Sequence, residues 1–181
     1  MKQKNMGLIV AIILISATII YLERPGGGEG GITPQEEPDI GIEIGQRAPD
    51  FMLKTPSGRN VRLNDFRSKA VFINFWATWC PFCIDEMPDM ERVSKEFEGD
   101  LVVLGVNVGE DAQEVARFID ELGVTYTILL DTNLDVATGY GVRAMPSSYF
   151  IDREGKIVDV GFGALTYEQM RERVQKTLEE G

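Results

Sequence analysis

Read for hydrophobic and polar positions alone, the chain falls into three stretches. Met6 to Leu22 is an apolar run with no charge. Glu23 to about Ile42 is polar, with Pro25-Gly26-Gly27-Gly28-Glu29-Gly30-Gly31 at its start and Pro34, Glu36, Glu37, Pro38 and Asp39 after it, a composition that holds neither helix nor strand. From about Ile44 the two periodicities of folded structure alternate. Thr55 to Gly58 reads as a turn, Val61 and Leu63 as a short strand, and Asn64-Asp65-Phe66 as the start of a helical turn. The run from Val71 to Trp76, rich in β-branched and aromatic residues, predicts a buried central strand. A helix follows from Pro81 to about Phe97, with Ile84, Met87, Met90 or Val93, and Phe97 at helical spacing. Leu101 to Val108 is a second interior strand. Gly109-Glu110-Asp111 caps a helix to about Leu122, whose inward residues are Val115, Phe118, Ile119 and Leu122. A short strand from Tyr126 to Leu130 and a short helix from Leu134 to Tyr140 come next. Ser147–Ile151 and Lys156–Val160 make a hairpin, and Thr166-Tyr167-Glu168-Gln169 fits a capping box for a last helix to about Leu178. This strand–helix–strand order predicts an α/β sheet with right-handed crossovers.

A length of 181 residues suits one domain with appendages. The formal charge of −11 makes nucleic acid and anionic membrane surfaces poor partners; it either favours a basic partner over an acidic one or only keeps the chain soluble, the commoner meaning of such acidity. At the N-terminus, Lys2 and Lys4 precede the apolar run, which as a helix spans about 25 Å, at the short end for crossing a bilayer. A cleaved secretory signal is the rival interpretation. The run ends in bulky Ile19-Ile20-Tyr21-Leu22, without a small-residue cleavage site, and is longer than a usual signal core, so an uncleaved anchor is expected over residues 1–22. The two lysines then stay inside, which puts the domain outside the cytoplasm. Residues 23–43 become a tether with a mean reach of about 25 Å, and residues 44–181 the folded domain.

The candidate chemistry lies where the central strand ends. A turn through Ala77-Thr78-Trp79 delivers Cys80-Pro81-Phe82-Cys83. Pro81 suits the first position of a helix. Cys80 is therefore expected at a helix N-terminus, where unpaired N–H groups and the helix dipole stabilise a thiolate, with Cys83 one turn on and more shielded. Zinc wants four ligands, and these are the only two cysteines in a chain with no histidine, so a cysteine/histidine zinc site within one chain is excluded. A static disulfide here closes a very short loop and restricts the unfolded chain little. Redox exchange, with one thiol attacking a disulfide and the other resolving it, is the expected role.

The run FWATWCPFC after a β-strand resembles the active site of the thioredoxin superfamily. The longer pattern Cys80-x-x-Cys83-x-x-Glu86-x-Pro88 resembles its membrane-anchored, extracytoplasmic TlpA/ResA-like branch, and the likeness runs from about Ile44 to the C-terminus. The entry segment Gly45-Gln46-Arg47-Ala48-Pro49-Asp50-Phe51 is similar to that of both this branch and the peroxiredoxins. The peroxiredoxin motif P-x-x-x-T-x-x-C is not met, because Ile73 and Ala77 occupy its Pro and Thr positions, so a thiol peroxidase is set aside.

The resemblance implies a thioredoxin-like fold, a central mixed sheet flanked by helices, with an inserted strand and helix relative to thioredoxin itself. It implies that Pro88 kinks the first long helix without ending it, and that Glu86 lies near the thiols. From the residues alone Glu86 reads as a solvated helix carboxylate like Asp85 or Glu91. The resemblance changes this, because thioredoxin's buried aspartate maps to Asn74, which cannot ionise, so Glu86 is expected to handle the proton, with its pKa raised by partial burial. Thioredoxin's buried lysine has no counterpart. Val142-Arg143-Ala144-Met145-Pro146-Ser147-Ser148 resembles the cis-proline loop that faces the cysteines, with Met145 pairing an extended substrate like an added strand. Trp76 is expected in the core, and Trp79, Pro81 and Phe82 on the substrate side. The implied function is reduction of protein disulfides, with apocytochrome c as a target, a membrane electron donor of the thiol-transfer type, and no cofactor beyond the Cys80–Cys83 pair. A dithiol oxidase and a tethered binding module with idle cysteines are the alternatives.

Overall fold

The computed structural model describes residues 39–181. The apolar run Met6–Leu22 and most of the 23–43 tether lie outside these residues, and among the described residues no helix is long and apolar enough to cross a membrane. The folded body begins slightly before the expected Ile44. Gly41 N–H donates to the Arg47 carbonyl, and Arg47 N–H to that of Asp39, both at 3.0 Å.

The architecture is a seven-stranded mixed sheet in the order β2-β1-β5-β4-β3-β6-β7. The strands are β1 (Met52–Lys54), β2 (Asn60–Arg62), β3 (Ala70–Trp76), β4 (Leu101–Val108), β5 (Thr127–Asp131), β6 (Ser147–Ile151) and β7 (Ile157–Phe162). The helices are α1 (Pro81–Glu96), α2 (Ala112–Leu122), α3 (Asp135–Gly139) and α4 (Tyr167–Glu180). β3, β4 and β5 run parallel, joined by crossovers through α1 and α2. β6 and β7 add antiparallel on one side, β1 and β2 on the other.

Every residue of β3 is buried, as its unbroken apolar pattern requires of a strand covered on both faces. On one face Phe72 and Trp76 meet Met87, Met90 and Val93 of α1, Val115 of α2, and Met170 and Val174 of α4. On the other, Ile73 and Phe75 meet the entry segment, Ala48 and Phe51, together with Tyr140 after α3. The expected caps are present: Asp111 accepts from the N–H groups of Gln113 and Glu114, and Thr166 and Gln169 close a capping box.

Several expected boundaries move. Leu63 leaves the second strand and opens a 3-10 turn, Leu63–Phe66, its N–H held by the Phe51 carbonyl at 3.1 Å. β5 sits one residue later than periodicity placed it, and β7 extends to Phe162, because Gly161 and Phe162 still pair with Ser148 and Ser147. Leu122 stays exposed: it is the last residue of α2, where Gly123 turns the chain away with φ 69°. The helix α1 continues through Pro88, as expected.

Gly105 on β4 lies close against Ile128, Tyr126 and Trp76. A Cβ there stands 2.7 Å from Ile128 Cδ1, 3.0 Å from Tyr126 Cε2 and 3.2 Å from Trp76 Nε1. Gly105→Ala is expected to destabilise the chain by about 1–3 kcal/mol through overpacking, read as a lower urea midpoint; an unchanged midpoint means that the core yields.

Candidate active site

β3 ends at Trp76 and α1 begins at Pro81, so the four residues between them form the crest of the site. Cys80 is the N-cap of α1, and its Sγ accepts from the Cys83 N–H at 3.3 Å. Ile84 N–H reaches the Cys80 carbonyl at 3.2 Å, so Cys80 is locked into the first turn. The two cysteines form a disulfide, with Cα atoms 5.3 Å apart. Cys83 is 1% exposed and Cys80 5%, the order expected for a shielded second thiol. Pro81 and Phe82 are exposed on the first turn of the helix, and Trp79 precedes Cys80 at the surface. Trp79 is 67% exposed and Phe82 66%, so an aromatic on each side of Cys80 in the chain presents apolar surface to solvent. Trp76 is fully buried in the core.

The register of β3 against β6 brings the second signature to the same end of the sheet. Phe75 pairs with Ser147, which places Pro146 beside the last residue of β3. The Met145–Pro146 peptide bond is cis, as expected. Its loop is held by the Ser147 hydroxyl donating to the Ala144 carbonyl at 2.7 Å and by Gly163 N–H donating to the Pro146 carbonyl at 2.9 Å. Met145 is partly buried and packs on the core cluster that contains both cysteines. Phe162, which no sequence motif marks, is an exposed aromatic that the pairing with Ser147 sets next to this loop.

Glu86 lies on α1 one turn beyond Cys83, and only 2% of it is exposed. Its Oε1 accepts from Asn74 Nδ2 at 2.7 Å and its Oε2 from the Leu165 N–H at 2.8 Å. Asn74 also donates to Ser148 Oγ at 3.1 Å, so strand β3, helix α1 and the loop before α4 meet at one carboxylate, and strand β6 joins them through Asn74. Burial dominates its protonation. It drives the pKa from 4.5 to about 7, against the opposing pull of the hydrogen bonds from Leu165 and Asn74. By sequence Asn74 is only a lost ionisable position; the structure makes it the direct partner of Glu86. Leu165 and Ser148 were not anticipated, since a main-chain donor and a serine after a proline leave no pattern in the sequence.

A further carboxylate at the site carries no motif in the sequence. Glu110 reaches from the end of β4 to the crest, where its carboxylate takes the Thr78 N–H at 2.8 Å, the Thr78 hydroxyl, and Asn107 Nδ2 at 2.6 Å. An asparagine at the end of an apolar strand, as at Asn107, was the one available signal. Among the described residues there is no group of three or more Cys, Asp or Glu placed to hold a metal ion.

The arrangement matches known proteins along most of its length. Residues 44–160 match the AhpC/TSA family. The chain is 39% identical over 139 residues to the thioredoxin-like protein YneN of Bacillus subtilis, covering 75% of this chain and 81% of that protein. It is 38% identical over 135 residues to the thiol-disulfide oxidoreductase ResA of Geobacillus thermodenitrificans, covering 74% and 78%. Among solved structures, a putative thiol:disulfide interchange protein DsbE from Chlorobium tepidum superposes with a TM-score of 0.71 at 27% identity, over 75% of this chain and 98% of that one. With a thioredoxin-like fold, a cysteine pair at the head of a helix and relatives of this kind, the chain belongs to the AhpC/TSA family and is a ResA-like thiol-disulfide oxidoreductase.

Proposed function

We propose that the chain reduces disulfides in proteins outside the cytoplasm, held at the membrane by residues 1–22, and that apocytochrome c is among its targets. The observation that carries this reading is the buried carboxylate of Glu86 one turn beyond Cys83, with a pKa of about 7. Such a group takes and returns a proton at neutral pH.

In the proposed cycle the Cys80 thiolate attacks one sulfur of the target disulfide. A Cys80–target disulfide forms and the other target sulfur leaves as a thiolate. Glu86 takes the proton of Cys83, and the Cys83 thiolate attacks Cys80 Sγ. The second target sulfur leaves, Glu86 returns its proton to a departing thiolate, and the enzyme is left with the Cys80–Cys83 disulfide. Two electrons have passed to the target, so a membrane donor that transfers thiol electrons is required to restore the pair. Trp79, Pro81 and Phe82 on one side, and Met145 with Pro146 on the other, contact the target, with the Met145 backbone pairing an extended segment. The anchor rests on Lys2 and Lys4 before the uncharged run Met6–Leu22.

The reduction potential of the Cys80–Cys83 pair tests the direction of flow. A value near about −270 mV is expected for a reductase. A value near about −120 mV overturns it in favour of a dithiol oxidase. A pair that does not cycle in the titration leaves only a tethered binding module.

A further inference from the structure

The crest that presents Cys80 borrows support from outside its own segment. A backbone bond from Cys80 N–H to the Ala77 carbonyl, 3.2 Å, closes the turn, but the Thr78 N–H points to a side chain. That side chain is Glu110, in the step between β4 and α2. Its Oε2 receives Thr78 N–H at 2.8 Å and Asn107 Nδ2 at 2.6 Å, and its Oε1 receives the Thr78 hydroxyl. Asn107 is fully buried on β4 in register with Trp76, the last residue before the crest. Its Oδ1 meets no donor among the described residues, so the acceptor side of this buried amide is unused. What it does supply is the bond to Glu110. The carboxylate thus ties β4 to the residue just before Trp79, which is exposed beside Cys80.

We propose that Glu110 is a positioning residue for thiol–disulfide exchange: through Thr78 it holds Trp79 and Cys80 in the geometry that a polypeptide target meets. The same grip occurs a second time in the molecule. Glu91 accepts the N–H of Thr125 at 2.8 Å and its hydroxyl, but there it fastens α1 to the segment before β5, away from the crest. Glu91 therefore provides an internal control for a carboxylate–threonine clamp with a purely structural role. Electrostatics gives an opposite expectation for Glu110. An anion beside the turn opposes a thiolate at Cys80, so neutralising it favours attack if charge is what matters. If position matters, neutralising it slows attack.

The test uses the full-length chain, reduced beforehand, in single-turnover reactions with a disulfide-bonded peptide and with a small symmetric disulfide that cannot span Trp79. Glu110→Ala is expected to lose about tenfold in the second-order rate toward the peptide, chiefly through weaker peptide saturation, and less than about threefold toward the small disulfide. Thr78→Val, which deletes the hydroxyl but keeps the N–H, is expected to share part of that loss. The double variant is expected to lose less than the sum of the two, as for groups acting through one contact. Glu91→Ala is expected to lower the melting temperature without the peptide-selective loss. The proposal is overturned if Glu110→Gln reacts faster than the parent chain, if Glu110→Ala stays within about twofold for the peptide, or if it loses both substrates equally in step with its melting temperature.

Discussion

Replacing Cys80 by serine is expected to lower the rate of protein-disulfide reduction on the order of 10³-fold or more, because a nucleophile and its partners act as a unit. The thiolate is the attacking species, and a serine hydroxyl cannot ionise to match it near neutral pH. The N-cap position of Cys80, where its Sγ already accepts the Cys83 N–H, supplies the donor that favours the anion once the disulfide opens. Cys83→Ser is expected to fail differently. Cys80 still attacks, but nothing resolves the intermediate, so the target stays covalently attached. Non-reducing electrophoresis after incubation with a disulfide-bonded target separates the two cases. A covalent adduct should form with Cys83→Ser and not with Cys80→Ser. The reverse pattern assigns the attack to Cys83, against the burial order of the pair. Full activity in Cys80→Ser removes the redox reading altogether.

Glu86→Gln is expected to flatten the pH dependence of both stability and rate. Glu86 titrates near 4.5 when unfolded and at about 7 in the native chain. A carboxyl whose native pKa is raised holds its proton more tightly when folded. The stability this gives is complete below about pH 4.5 and is lost as pH rises through about 7, a decline of up to about 3 kcal/mol. Glutamine cannot titrate, so its variant should lack that decline. It also carries a fixed cost at every pH, since its NH2 must face one of the two donors, Asn74 Nδ2 or Leu165 N–H, that the carboxylate accepts. The slopes decide, not the absolute values. Urea unfolding at pH 5 and pH 8 should show a smaller drop in the variant than in the parent chain. Equal drops mean that Glu86 is not the group responsible. In the exchange reaction, the variant should lose on the order of 10²-fold at pH 7, together with the inflection near pH 7 in the rate profile. An unchanged profile makes Glu86 a structural carboxylate.

Much of this molecule was legible along the chain because its signals are local. The apolar run at β3 needed only burial on both faces, and all of its residues are buried. Pro81 after Cys80, Asp111 before α2 and Thr166 with Gln169 mark helix starts by chemistry confined to four or five residues, and each stands where it was expected. The cis-proline loop and the role offered to Glu86 came from likeness of motif, and periodicity contributed nothing to either. Boundaries moved where pairing continued through a glycine to an exposed residue, as at Gly161 and Phe162, or where one hydrogen bond outside the strand captured a residue, as at Leu63. What the sequence by itself determined, then, is the order of strands and helices and the presence of a cysteine pair at a helix head. The tertiary structure alone decided which groups hold the residues around that pair. Asn74 meets Glu86 across 12 residues, Leu165 meets it across 79, and Thr78 meets Glu110 across 32. None of these partners has a preferred spacing, because a carboxylate accepts from any donor that folding brings within about 3 Å. The pKa of Glu86 follows from the same fact: it depends on exclusion from water, which only the packed chain provides.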